Sequence, residues 1–429
     1  MSKIIINGGK PLQGTVRPVA NKNSIVAMLP ATMLTDEDVI IHNVPMSTDV
    51  RSMCALIKKL GAEVEFLNEG ETLRINCKNV NSWELDPELS QGIKASVMFM
   101  GPLLTRFGKA SMPIPGGCKL GTRPLDSFID NMVQLGAKYR REKGYFLEAD
   151  KLEGKEVWSW FPSVTGTENL VLMATRIPGK TVIYNAACEP HVQELCELLV
   201  QMGANISGIG SNKLIIEGVE HLSGTEYTVL SDHLDVGGFI ASSVMTGGEV
   251  TIEKAVIRHM GLILQVYEKL GIRVEVDKVH DTIHIPKEQN LTIEKTVRGD
   301  VFDFKSFAWP LLPPDLVHVA VVLALYANGS AIFHNSFYEY GFFFIEELAK
   351  MKGTVIMADP HRIITFGPTR FQSANLIAPN IIQAAYALLL CCLSAEGKST
   401  LNNAEPLFRR FSDLIDQFSS LGADIVKED

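Results

Sequence analysis

Along the chain, apolar residues fall at helical spacing, stop at a glycine, and resume in strand-like order. This happens six times. The stretches are "CALIKKLGAEVEF" at Gly61, "IDNMVQLGAKYRR" at Gly136, "CELLVQMGANISG" at Gly203, "LQVYEKLGIRVEV" at Gly271, "IEELAKMKGTVIM" at Gly353 and "IDQFSSLGADIVK" at Gly422, spaced at roughly 70 to 80 residues. The glycine stands where a helix end calls for a left-handed residue, and the β-branched run behind it starts a strand. Upstream of most of these glycines, runs such as "EDVIIHNVP", "GKTVIYNAA", "GEVTIEKAV" and "GSAIFHNSF" also read as strands. The unit is therefore mixed α/β, and too long for a helical solenoid repeat.

Six copies pack naturally as two similar domains of three units. "NLVLMATRI" and "IIQAAYALLLCCL" are apolar around most of their circumference, so they are expected at the centre, buried. The halfway point falls near "YTVLSDHLDVGGF". The expected division is residues 22–230 for the first domain and 1–21 with 231–429 for the second. The start of the chain then crosses to complete the second domain, with a cleft between the two.

Composition narrows the function classes. A chain of 429 residues exceeds one ordinary core, and 46% hydrophobic with 21% charged residues is globular. The net charge of -9 argues against a nucleic-acid partner but leaves room for a small anionic substrate met by a local cation cluster. The longest apolar run, "AAYALLLCCLSA" from Ala384 to Ala395, is too short to span a bilayer. The opening "MSKIIINGGKPLQG" lacks the apolar stretch of a signal peptide, so no membrane insertion is expected. Six of the seven cysteines sit in apolar or strand-like surroundings, the pattern of reduced thiols in a cytoplasm. No Cys-x-x-Cys pair occurs, and neither a metal nor a cofactor is expected.

Five segments hold candidate chemistry, each with a plainer reading beside it. In "PIPGGCKLGTRPLD", Cys118 follows two glycines and precedes Lys119 and Arg123, so it is either a cation-activated thiolate or a passenger on a turn. Lys22 and Asn23 precede an apolar helix, as an anion clamp or as a solvated Lys beside an Asn cap. Asp315 follows two prolines and precedes another apolar helix, as a general base or a cap. Arg409 and Arg410 are expected to open the last helix, where positive charge opposes the dipole, as an anion site or a surface pair. Ser163 to Thr167 form a donor-rich helix start, suited to phosphates or to plain capping. "GIGSNK" (208–213) begins like a dinucleotide fingerprint but lacks the third glycine and lies between strands, so it reads as a hairpin turn.

These pieces, in this order, resemble the enolpyruvyl transferase family. The segments "PLQGTV", "ANKNS", "GPLLTRFG", "PGGCKLGTRPLD", "FPSVTGTEN", "NAACEPHVQEL", "LIIEGVEHLSG", "PPDLVH" and "SAEGKSTL" carry the likeness along the whole chain. The Cys loop followed by Arg-Pro-x-Asp is the most specific of them, and it points to the branch acting on UDP-N-acetylglucosamine. The resemblance implies two α/β (α+β) domains, each of three βαβαββ units, with the active site in the cleft between them. It implies transfer of enolpyruvate from phosphoenolpyruvate to the 3'-hydroxyl of that nucleotide-sugar, in peptidoglycan synthesis. By the same resemblance Cys118 is the acid, an adduct-forming thiol and the target of fosfomycin. Asp315 is the base, and Lys22 and Arg409 are the cations for the donor. Arg123, Pro124, Leu125 and Asp126 hold the nucleotide. Ser163, Val164, Thr165 and Gly166 sit on the diphosphate, and Asn23 and Phe337 on the sugar side.

The sequence also departs from the family pattern. Lys94 stands where the family usually has Arg, and two further family arginines fall at Gly341 and near Gln383. A usual His falls at Phe128, "SVGAT" reads "SVTGT", and Ala20-Asn21 replaces Gly-Ala. Three readings follow: the usual acceptor, the same chemistry on another nucleotide or nucleotide-sugar, or a catalytically weak paralogue that binds one.

Overall fold

All six helix-to-strand junctions close with the same backbone bond. After the helix Thr48–Lys59 the N–H of Ala62 donates to the carbonyl of Ile57 at 3.2 Å. The equivalent bonds run from Ala137 to Met132, Ala204 to Leu199, Ile272 to Tyr267, Gly353 to Leu348 and Ala423 to Phe418. This six-to-one bond is the signature of a Schellman cap, which needs a left-handed residue just before the donor. Gly61, Gly136, Gly203, Gly271 and Gly422 occupy that place with φ between 86° and 110°. In the fifth copy it is Lys352, at φ 69°, and not Gly353. Aligning the repeats on glycine therefore misplaces this cap by one residue; the hydrogen bond sets the register.

In the computed structural model the described residues are 2–114, 125–141, 144–338, 341–411 and 413–428. They form six small sheets, five of four strands and one of three. Residues 20–114 and 125–229 make one compact unit. In two of its sheets a parallel pair is extended by an antiparallel hairpin: Thr225–Thr228 beside Val39–His42, and Glu156–Trp158 beside Lys180–Tyr184. Its third sheet is antiparallel throughout, with Gly144–Glu148 between Lys109–Pro113 and Lys138–Arg141. The segment 208–212 joins the antiparallel strands Asn205–Ser207 and Lys213–Glu217, as expected of a hairpin turn.

Residues 2–19 and 230–428 make the other unit. Its sheets contain the start of the chain. Lys3–Gly8 lies between Gly397–Asn402 and Asp424–Glu428, antiparallel to both, and Gln13–Val16 runs parallel to Glu249–Ile252.

Each unit is centred on apolar helices. One has Lys22–Ala31, Met100–Phe107 and Val164–Ala174; the other has His233–Thr246, Val317–Tyr326 and Ile382–Ser394. Every residue of His233–Thr246 is buried, as is Val317 to Leu325 of its neighbour. Burying each large aliphatic side chain contributes about 1.5–3 kcal/mol, which explains why these helices are rich in apolar residues. Gly238 permits the closest approach. A Cβ there would lie 2.4 Å from the Tyr386 hydroxyl on the helix Ile382–Ser394. Among the described residues no helix is long and apolar enough to cross a membrane, and no cluster of His, Cys, Asp or Glu could hold a metal ion.

Candidate active site

In the unit of residues 20–229 the candidate residues gather at helix starts. Buried Asn21 caps the first central helix, its side chain accepting the N–H of Asn23 at 3.0 Å. Lys22 is the first helical residue, and its ammonium meets Asp49 Oδ2 at 2.5 Å with the lysine side chain only 15% exposed. It is thus a held, partly desolvated cation, not a solvated one. Asn23 is half-buried beside it, and half-buried Lys94 opens the short 3-10 turn Lys94–Phe99.

Ser163 caps Val164–Ala174, its Oγ accepting the Gly166 N–H at 3.2 Å. Val164 and Thr165 are half-buried and Gly166 is buried, so the positive end of this helix dipole is accessible at its first turn. Leu125 and exposed Asp126 begin the helix Asp126–Gln134. Cys118, Arg123 and Pro124 lie outside the described residues. Phe128 is buried in this unit's core.

In the unit of residues 2–19 and 230–428, Asp315 stands two residues ahead of Val317–Tyr326 but does not cap it; the cap position is Leu316. Its Oδ1 instead accepts the Gln383 amide at 2.7 Å and the Tyr338 hydroxyl at 3.3 Å. Half-buried Phe337 donates its N–H to Asn335 Oδ1 at 3.1 Å and sets its ring edge-on to Phe307 and Tyr338. The same loop carries Gly341, whose carbonyl accepts His318 Nε2 at 2.6 Å. Burial depresses His318 to about 4, so the imidazole is neutral and donates from that nitrogen. A Cβ at Gly341 would come within 2.6 Å of Asn335 Nδ2, so the packing here has no room for a side chain without a shift.

The two arginines do not open the last helix. They follow the one-turn helix Glu405–Phe408 and precede Leu414–Ser420, so the dipole argument does not apply to them. Arg409 is exposed, whereas Arg410 is buried and ion-paired to Asp232. Asp315, Gln383, Tyr386 and Arg410, with Leu316 and Phe411, line one small recess. Nothing in the sequence marks Gln383 and Tyr338 as partners of Asp315, because both bonds are long-range. Asp232 carried a weak sign, as an aspartate at the start of a helical run.

A family model described as EPSP synthase (3-phosphoshikimate 1-carboxyvinyltransferase) matches residues 6–418. Two relatives named UDP-N-acetylglucosamine 1-carboxyvinyltransferase are each 37% identical. The one from Borreliella burgdorferi aligns over 100% of this chain and 99% of its own. The one from Bacteroides thetaiotaomicron aligns over 100% of both. Among solved structures, the enolpyruvyl transferase NikO from Streptomyces tendae superposes with a TM-score of 0.86 at 22% identity, covering 99% of this chain and 98% of its own. EPSP synthase from Acinetobacter baumannii gives 0.79 at 15%, covering 100% of both. At those identities the two structures bear on the fold alone.

Proposed function

The chain belongs to the enolpyruvyl transferase family, and from that premise we propose that it transfers the enolpyruvyl group of phosphoenolpyruvate to the 3'-hydroxyl of UDP-N-acetylglucosamine, releasing phosphate. The observation that carries this reading is the end-to-end likeness, at 37% identity, to two bacterial enzymes of that name. The reading places the chain in peptidoglycan precursor synthesis in the cytoplasm.

In the proposed mechanism the acceptor oxygen adds to C2 of the enol while C3 gains a proton. Phosphate then leaves C2 and C3 returns a proton, restoring the double bond. Asp315 takes the hydroxyl proton; its carboxylate is already aimed by Gln383 and Tyr338. Cys118 protonates C3. Lys22 and Arg409 balance the donor's phosphate and carboxylate, Lys22 with its charge held in place by Asp49. The Ser163-capped helix start presents backbone N–H groups toward a diphosphate. Leu125 and Asp126, with Arg123 and Pro124, form the nucleotide strip, and Asn23, Lys94 and Phe337 complete the sugar side.

A second reading, the same chemistry on a different nucleotide or nucleotide-sugar, is favoured by one observation. Gly341 replaces a family arginine at a position where a side chain would fit only if Asn335 shifted. The two readings separate on phosphate release from phosphoenolpyruvate with a panel of acceptors. Turnover with UDP-N-acetylglucosamine supports the first. Turnover only with another nucleotide refutes it in favour of the second, and none with any acceptor leaves the binding paralogue.

A further inference from the structure

The recess beside Asp315 contains a charged group that the mechanism above does not use. Arg410 is only 8% exposed and lines this recess with Asp315, Gln383 and Tyr386. One arm of its guanidinium is held by Asp232 Oδ2. The other oxygen of Asp232 accepts the Leu234 N–H at 3.0 Å and so caps the fully buried helix His233–Thr246. The cation is therefore tied to a rigid element. Its Nε and the Tyr386 hydroxyl are both buried without a hydrogen-bond partner. Two buried polar groups left open on one recess are unfavourable in a packed core, which marks the recess as built for more than packing.

Asp315, for its part, is held by two neutral donors, an amide and a phenol. Neutral donors aim a carboxylate, and a fixed cation nearby adds an attraction that they lack. Burial opposes the charge on Arg410, yet the carboxylates of Asp232, Asp315 and Asp235 outweigh it and hold the guanidinium above its ordinary pKa. The arginine is thus a permanent positive charge.

We propose that Arg410 is a positioning residue for the reaction: the fixed cation on the recess that helps hold the Asp315 carboxylate in place, supplying the charge that neutral Gln383 does not. The proposal rests on the reading of Asp315 as the base.

Removing Arg410 alone would strand Asp232 as a buried charge, so the test pairs Arg410→Gln with Asp232→Asn, which keeps a good helix cap. Against Asp232→Asn alone, the double variant is expected to lose about tenfold to a hundredfold in kcat, with both KM values within about threefold. Adding Gln383→Arg returns a cation to the recess and is expected to recover about tenfold of that loss. Thermal melts of each variant verify the fold. Unchanged kcat in the double variant overturns the proposal. So does a raised donor KM at constant kcat, which would make Arg410 a substrate contact. A loss that Gln383→Arg does not restore also overturns it, assigning the arginine to the scaffold. Wild-type protein that releases no phosphate with any acceptor refutes the transferase reading itself, before any variant is compared.

Discussion

At the scale of single residues, the thiols sort themselves by burial. Cys54, Cys77, Cys188, Cys196, Cys391 and Cys392 are all buried and form no disulfide. Burial pushes Cys54, Cys196 and Cys392 up to about 12, and Cys77 and Cys188 to about 11, so none of these offers a thiolate at neutral pH. On the proposed reading the thiol that meets an electrophile is Cys118, which lies outside the described residues. Incubation of the native protein with fosfomycin is expected to give one adduct by intact mass, mapping to Cys118 and absent from Cys118→Ala. A second adduct, or one that survives the substitution, contradicts this. Asp315 allows an equally direct measurement. Asp315→Asn keeps an oxygen to accept the Gln383 amide but cannot take a proton. It is expected to lower kcat by about 10²–10⁴ while nucleotide-sugar affinity by calorimetry changes less than about threefold. A smaller loss than tenfold would remove Asp315 from the chemistry.

At the scale of elements, the six Schellman caps turn a sequence rhythm into energies. The exposed Lys352 sits at φ 69°, a left-handed strain of about 1–2 kcal/mol that glycine lacks, offset by glycine's extra chain entropy of about 0.5–1 kcal/mol. Lys352→Gly should therefore be neutral to stabilising by about 1 kcal/mol. At Gly203 an added Cβ meets nothing within 4 Å, so Gly203→Ala should cost only the conformational strain of about 1–2 kcal/mol. At Gly271 the same atom would fall 2.4 Å from the Thr292 nitrogen, and Gly271→Ala should cost about 3–5 kcal/mol. Urea midpoints rank the three, and a Gly271→Ala no worse than Gly203→Ala would show that the clash relaxes away. This is also where the sequence was most legible. Helix ends, strand starts and the apolar-rich central helices are local patterns, and they appear in the structure. What pairs with what is not local. The strand Lys3–Gly8 reaches Gly397–Asn402 and Asp424–Glu428, and Asp315 reaches Gln383, contacts that leave no periodicity behind. Arg409 and Arg410 read from the sequence as the opening of the last helix. The chain turns there instead, after Glu405–Phe408, and buries one arginine while exposing the other.

At the scale of the whole molecule, buried ionisable groups couple folding to pH with opposing signs. Burial, with Asp232 adding repulsion, raises Asp235 from 3.8 to about 7, against the pull of Arg410 and the Val19 N–H. Between about pH 4 and 7 the folded protein holds a proton there that the unfolded chain has released, so this group's contribution falls as pH rises. His318 runs the other way. Its folded value of about 4 lies below the ordinary 6.5, so on acidification through that window the unfolded chain binds a proton that the fold refuses. His233, lowered well below 6.5 by burial and by His259 and Arg410, acts in the same direction. Two histidines against one aspartate give these groups a net loss of stability toward acid below about 6.5 and a smaller loss toward neutral pH above it. Asp235→Asn separates the terms, because an amide oxygen can still accept the Val19 N–H while the titration disappears. The stability difference between the variant and the wild type, from urea unfolding at each pH, is expected to grow in the variant's favour by up to about 1.4 kcal/mol per pH unit from pH 4 to 7 and to level off above. A difference that stays flat across that window, or slopes the other way, would mean that Asp235 is already ionised in the fold.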